Sequence, residues 1–496
     1  MVTRLVRAPR IDFSGLRREL ELPQEFPAAA LGEAQAVAAG VDAVLAGRAD
    51  HTGTPFVTID PATSRDLDQA LFLERRDAGY RVQYAIADVA AFVPVDGALD
   101  AQTWLRGETI YLPDGKVPLH PVSLSEDAAS LLPDQTRAAV VWTIDLDQTG
   151  EATAVRLERG VIRSRAKLDY DSVQQAVEAG TLPGPIALLP DIGTLLQDRA
   201  LDRGAIDLPI PEQELEPDDG GWRLVLRARL PVETWNAQIS LLTGQCAADI
   251  MLGGGVGLLR TMPPPTPAAL ATLRQVARAL DIDWPSDATI GRVVAAVDPA
   301  EPRAAAFIDE AAELLRGSGY TTMEGAVPSQ PLHGGVAAPY AHVTAPLRRL
   351  ADRYATETCL HLVAGTPVPE WVRAALGRLP EAMAASGRKA SAAERGAIDL
   401  AEAVLLQGSV GEEFDAVVLD VVPGRDDRQP SATIAIDEPP VRARCFGAAR
   451  LGEQVRVRLT RADPVQRLVT FEFVAARAQS GGARRRQTES GAASER

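Results

Sequence analysis

The periodicity of apolar residues changes three times along this chain, and neither an all-α nor an all-β fold accommodates every segment. Residues 1 to about 50 are rich in Ala, Leu and Glu, and "SGLRRELEL" and "AAALGEAQAVAAGVDAVLAG" read as a small helical preface. From Gly53 the texture becomes strand-like, in "PFVTID", "ALFLE", "YRVQYAIADVAAFV", "ETIYLP" and "AAVVWTIDLD". After the helical "AKLDYDSVQQAVEAG", the stretch "GAIDLPIPEQELEPDDGGWRLVLRARL" reads as a β-meander turning at Asp-Asp-Gly-Gly. Helices dominate from about 233 to 405, broken at "MPPPTP" and at "SGYTTMEGAVPSQPLHGG". Beyond about 410 five short strands return: "EFDAVVLDVV", "SATIAI", "VRARCF", "EQVRVRL" and "LVTFEFV". Val455, Val457 and Leu459 alternate there with Arg456 and Arg458, as a half-buried strand requires. The succession predicts an α/β (α+β) body over 51–405 and a small all-β unit over 406–476. That unit is either an OB-type barrel or a sandwich fragment. Residues 477–496 are low in complexity and expected to be disordered.

A chain of 496 residues has room for a core of enzyme size. Hydrophobic residues make up 46% and charged residues 24%, an ordinary globular balance. No window approaches about 18 uninterrupted apolar residues, and "MVTRLVRAPRIDF" lacks a signal-peptide core, so a cytoplasmic protein without membrane contact is expected. Cys246, Cys359 and Cys445 are far apart and no CxxC or HExxH spacing occurs, which argues against a disulfide framework or a zinc site. The three thiols are expected in or near the core. Net charge is −16, from 51 Lys+Arg against 67 Asp+Glu. That balance opposes a broad nucleic-acid footprint, although a local cationic channel can exist inside an acidic protein.

The stretch "FVTIDPATSRDLDQALF" crowds Asp60, Asp66 and Asp68 between two apolar runs. Carboxylates this close repel unless a cation or a proton sits among them. Asp60 ends a strand, and Asp66 and Asp68, two apart, point the same way if the segment is extended. The alternative is a solvated turn whose aspartates cap local amides. Against it, strands pin both flanks and no lysine is near in sequence; only Arg65 is close. Asp88, ending "IAD", is a candidate fourth carboxylate. A hard cation such as Mg²⁺ takes one or two carboxylates plus water and phosphate.

The second informative stretch is "YAHVTAPLRRLADRYATETCLHLVAG". It predicts a helix capped by Thr344, with Pro346 in its first turn and Gly365 at its end. Leu347, Leu350, Ala351 and Tyr354 form its buried stripe. Arg348 and Arg349 then stand where the dipole disfavours cations, which suits a phosphate held jointly by the arginines and the helix start. A surface salt bridge to Asp352 is the plainer alternative.

Several blocks, in order, resemble the catalytic (RNB) domain of the RNase II family of 3′→5′ exoribonucleases. They are "TIDPATSRDLDQAL", "IADVAAFVPVDGALD", "RGETIYLPDGKVPLHPVSLSEDAASLLPDQTR", "AKLDYDSV", "RGAIDL", "LHGGVAAPYAHVTAPLRRLADR" and "AAERGAIDLAEA". The resemblance implies an RNB-type catalytic domain of mixed sheet and helices, followed by an S1-like OB barrel. It also implies that Asp60, Asp66 and Asp68 bind Mg²⁺ and activate water, Asp68 being tied most closely to cleavage. By the same resemblance Arg348 holds the phosphate, and the arginine-pair reading adds Arg349 as a substrate contact. Tyr170 would stand at the catalytic end of an RNA channel and Tyr111 would stack on terminal bases.

The chain departs from that pattern at four places. Gln69 stands where the family has a fourth aspartate, Ser240-Leu241 where it has a glutamate pair, "APLRRL" for "SPIRRY", and Thr356 for a histidine. Residues 1–50 are too few for the two cold-shock-like domains the family carries. The expectation is a monomeric, Mg²⁺-dependent exoribonuclease releasing nucleoside 5′-monophosphates from single-stranded RNA. An RNA-binding protein without catalysis and a nuclease for short oligonucleotides are the alternatives. In the barrel, Phe414 and Phe446 are candidate stacking residues and Arg442, Arg444, Arg456 and Arg458 a candidate basic stripe, whereas Phe471 and Phe473 share a face and are expected in the core.

Overall fold

The computed structural model describes residues 6–8, 10–218, 221–425 and 428–474. The body is built on a five-stranded sheet in the spatial order Ala49–Asp50, Ala152–Arg163, Thr136–Asp147, Gly79–Ala87 and Gln69–Arg76. All neighbours are antiparallel except the short first strand, which runs parallel to Ala152–Arg163. Strand residues alternate between two buried faces, as a period of two dictates. Val82, Tyr84, Ile86, Val140, Trp142 and Ile144 face one core. Ala85, Ala87, Ala139 and Val141 face the other, where small side chains let Ala34 of helix Ala28–Ala39 approach closely. Two buried faces explain why these strands read as apolar runs rather than clean alternations.

Helices cover the first face. Pro231–Gly254 is the longest of them and packs against Leu350–Val363, burying Cys246 and Cys359 between them. All three cysteines are free and buried, as the sequence suggested. At Gly244 a β-carbon would lie 2.2 Å from the Tyr340 ring and 2.5 Å from the Ala341 carbonyl. Only glycine lets the 340–341 segment lie on this helix, where the Ala341 amide donates to the Gly244 carbonyl at 3.0 Å.

The C-terminal unit is a closed barrel, ordered Glu413–Val422, Ser431–Ile436, Val441–Phe446, Leu468–Phe473 and Gln454–Asp463, which settles barrel over sandwich. Strands Val441–Phe446 and Leu468–Phe473 are parallel and the rest antiparallel. Val457, Leu459 and Phe471 are fully buried, and Phe414 meets Phe471 edge-on at 5.9 Å. Helix Leu379–Leu406 joins the two parts. Ala393 and Ala397 pack on Phe13 and Leu16, and Ala403 and Leu406 enter the barrel core. Among the described residues no helix is long and apolar enough to cross a membrane.

Several expectations need correction. The first 50 residues are not purely helical: Val6–Ala8 pairs with the meander strand Gly221–Arg227, and Ala49–Asp50 enters the main sheet. The strand Ala152–Arg163 was not anticipated, because its charged residues hide the buried Leu157, Gly160 and Ile162. Val256–Thr261 and Gly319–Glu324, near the predicted breaks, form an antiparallel pair. The tail over 477–496 and the centre of the Asp-Asp-Gly-Gly turn lie outside the described residues.

Candidate active site

Strand Thr58–Ile59 pairs in parallel with Lys167–Leu168, and the Asp60 amide donates to the Leu168 carbonyl at 3.1 Å. That pairing puts Asp60 at a strand's end, as expected, and brings the chain after Leu168 alongside it. Asp169 caps helix Tyr170–Ala179 by accepting from the Ser172 amide, so Tyr170 enters at the helix's first position. The Tyr170 hydroxyl accepts from Asn236 Nδ2 at 3.3 Å. Burial, and next the charge of Asp60, raise its pKa.

Asp68 lies just before strand Gln69–Arg76 and is 3% exposed. Its Oδ1 accepts from the Leu347 amide at 2.7 Å, and Arg348 Nε stands 3.6 Å from its Oδ2. Burial pushes its pKa up to about 8, against the opposing pull of Arg348 and the Leu347 amide. Burial likewise lifts the half-buried Asp60 to about 6, with Arg348 and Lys167 opposing. Asp66 is engaged differently. Lys116 Nζ lies 3.0 Å from its Oδ1 and 2.9 Å from Glu126, and the Tyr111 hydroxyl donates to its Oδ2 at 3.3 Å.

The three aspartates therefore do not share one point. Among the described residues no three His, Cys, Asp or Glu side chains are grouped closely enough to hold a metal. The expectation that no lysine offsets them fails, because the hairpin Ile110–Leu112/Gly115–Val117 returns Lys116 from 50 positions away. Arg65 instead reaches toward Glu126 at 3.8 Å. Asp88 is not a fourth ligand: it is buried between Arg48 at 2.7 Å and Arg159 at 2.9 Å, and Arg159 also binds Glu357. Asp60 and Asp68 each have the donor chemistry that a Mg²⁺ ion takes. Both offer hard oxygen donors, and burial leaves the negative charge of each short of stabilisation.

The arginine pair separates. The helix begins at Leu350 rather than at Thr344, since residues 344–349 are spent in turns whose amides bind the Asp68 and Asp352 carboxylates. Arg349 Nε sits 3.0 Å from both oxygens of the fully buried Asp352, so the plainer alternative holds for it, although the bridge is buried. Arg348 keeps a side chain 45% exposed at the site. Its backbone is fixed, with its carbonyl accepting from the Thr109 amide at 2.9 Å. Tyr111 is 51% exposed on its hairpin, and the hairpin tip is held by Arg17 on Asp114 at 2.6 and 2.7 Å. Gln69 donates its side-chain amide to the Thr344 carbonyl, and the Thr344 hydroxyl bonds Ser240 Oγ at 2.8 Å. Sequence reasoning missed Lys116 and Asn236 and read Thr344 only as a helix cap, because their roles come from contacts far apart in the chain.

In the barrel, Arg456 pairs with Asp415 at 2.8 Å, Arg458 with Glu413 at 2.8 Å, and Arg442 with Asp309 of the body. The basic stripe thus reduces to Arg444, which adjoins the 38% exposed Phe446, Arg425 and Arg428.

Fold and site together define a two-part chain, an α/β body with an acidic, arginine-flanked site and a C-terminal OB barrel. Residues 48–364 match the RNB domain, and residues 412–474 match the C-terminal S1 domain of RNase II-type exonucleases. The chain belongs to the RNB family. It is 25% identical to ribonuclease R of Vibrio cholerae serotype O1 over 530 aligned positions, covering 94% of this chain and 62% of that protein. The chain thus spans about three fifths of that relative's length. Apo RNase R of Mycoplasma genitalium superposes with a TM-score of 0.81 at 20% identity, over 93% of this chain and 77% of the other. Yeast Ssd1, described as a pseudonuclease, superposes with a TM-score of 0.67 at 18% identity, over 86% and 52% of the two chains.

Proposed function

We propose that the chain is a Mg²⁺-dependent 3′→5′ exoribonuclease that hydrolyses single-stranded RNA to nucleoside 5′-monophosphates. The observation that carries this is the buried Asp68, clamped by the Leu347 amide and facing an exposed Arg348. Hydrolysis forms a bond from water oxygen to phosphorus and breaks the bond to the 3′-oxygen of the preceding nucleotide. Arg348 offers donors to the phosphate and to the charge that grows on it. Asp68, held by the Leu347 amide beside Arg348, is placed to orient the attacking water against the phosphate that Arg348 holds. Tyr111 offers an exposed ring for stacking on a base, a grip that tolerates any sequence. Tyr170, anchored by Asn236 beside Asp60, orients the last nucleotide. Asp60 and Asp68 would hold a Mg²⁺ ion, which would supply Lewis-acid polarisation and a more acidic water.

A second reading, an RNA-binding protein without catalysis, is favoured by one observation: Gln69 is neutral and its amide is already committed to Thr344. Purified protein, 5′-labelled single-stranded RNA and Mg²⁺ separate the two, beside Asp68→Asn and EDTA controls. The exonuclease gives a ladder shortening from the 3′ end that both controls abolish. Intact RNA that still shifts on a gel would establish the binding protein.

A further inference from the structure

Gln69 and Ser240 lie 171 positions apart and meet on one residue, Thr344, Gln69 at its carbonyl and Ser240 at its hydroxyl. Thr344 is 3% exposed and opens the turn 344–347, whose last amide holds Asp68 and which leads directly into Arg348. Two adjacent residues, Asp68 and Gln69, thus grip the two ends of that turn with opposite chemistry. Asp68 accepts from an amide, and Gln69 donates to a carbonyl. Beyond the turn the chain is held again, the Arg348 amide donating to Ala345 at 3.1 Å and the Arg349 amide to the same carbonyl at 2.9 Å. The Arg348 side chain leaves this clamp 45% exposed, with its Nε 3.6 Å from Asp68 Oδ2.

We propose that Gln69 is a positioning residue: its donated hydrogen bond to Thr344 fixes the turn that aims Arg348 at the substrate phosphate. The proposal rests on the reading of Arg348 as the phosphate-holding residue. It requires a donor at position 69, which glutamine has and a carboxylate lacks. A carboxylate there faces the Thr344 carbonyl, acceptor against acceptor, and pushes the turn away. Gln69→Asp, although it enlarges the acidic set, therefore weakens the site instead of strengthening it.

The test measures binding of a fluorescent single-stranded RNA 20-mer in EDTA, where nothing is cleaved, for the full chain, Gln69→Glu, Gln69→Met, Arg348→Ala and the double variant Gln69→Met/Arg348→Ala. Each single variant is expected to weaken binding roughly tenfold, the scale of one charged hydrogen bond to phosphate. The double variant is expected to be no weaker than Arg348→Ala, because Gln69 acts through that arginine. With Mg²⁺, the Gln69 variants raise KM more than they lower kcat. Gln69→Asp supplies the check if the methionine variant does not fold, and its expected result is loss of affinity. Additive losses in the double variant, or Gln69 variants that bind as tightly as the unmodified chain while Arg348→Ala does not, would overturn the positioning role alone. Unchanged binding by Arg348→Ala would overturn both the role and the reading of Arg348 beneath it.

Discussion

Asp68 carries the sharpest tension between stability and chemistry at the residue scale. Its folded-state pKa of about 8 lies above the ordinary 3.8, so between those values the unfolded chain has lost a proton that the folded chain keeps. Stability contributed by this group therefore falls as pH rises through that window, and the penalty is complete above about pH 8. Asn at this position still accepts from the Leu347 amide but never ionises. We expect Asp68→Asn to abolish cleavage while raising Tm at pH 8, with a much smaller gain at pH 5; a melting series over pH reads this directly. Asp60, raised to about 6, adds a second proton for a bound cation to displace. Mg²⁺ affinity is accordingly expected to climb between pH 6 and 8, with protons released on binding. Calorimetry in buffers of different ionisation enthalpy measures that release, and a pH-independent affinity would remove Asp60 and Asp68 as ligands.

At the scale of elements, the junction between helix Leu379–Leu406 and the barrel turns on Glu402, 4% exposed. Its Oε1 accepts from Gln213 Nε2 at 2.9 Å and from the Arg442 amide at 3.1 Å, tying helix, meander and barrel strand together. Burial raises its pKa to about 7 from 4.5, so this carboxyl too destabilises the fold progressively as pH rises across that interval. A glutamine carbonyl keeps both hydrogen bonds without a charge. Glu402→Gln is therefore expected to raise Tm at pH 8 and to leave it nearly unchanged at pH 5. His120 works in the opposite sense. Burial depresses it to about 3, its Nε2–H donates to the Pro346 carbonyl at 3.3 Å, and acid below its ordinary 6.5 progressively favours the unfolded chain. Because Pro346 lies in the Arg348 turn, His120→Ala is expected to lower both Tm and RNA affinity, whereas a surface histidine would change neither.

At the scale of the whole molecule, a net charge of −16 leaves few cationic places for RNA to meet. The two exposed ones described above are Arg348 in the body and the Arg444–Phe446 surface on the barrel. If the barrel surface extends the grip, Arg444→Ala with Phe446→Ala weakens binding of a 20-mer by roughly tenfold or more, the worth of one stacked base and one phosphate contact. Cleavage of a dinucleotide should be retained. Equal effects on both lengths would place the barrel outside the RNA path.

The succession of periods was enough to indicate the α/β body and the five barrel strands, because those features depend on local alternation and turn chemistry. The ordered motifs pointed to Asp60, Asp66, Asp68 and Arg348 as one site; Arg348 does stand beside Asp68, whereas Asp66 is turned to Lys116. Strand Ala152–Arg163 escaped notice because the sheet face it covers carries alanines and glycine among charges, a pattern that local hydrophobicity does not register. The late helix start at Leu350 and the capture of Arg349 by Asp352 were also out of reach, since a buried carboxylate outcompetes the capping signal at Thr344. Which carboxylates stand free and which are already paired was decided only by tertiary contact. Lys116, Leu347 and Thr344 meet Asp66, Asp68 and Gln69 from 50 to 279 residues away, and a charge's partners are set by distance in space.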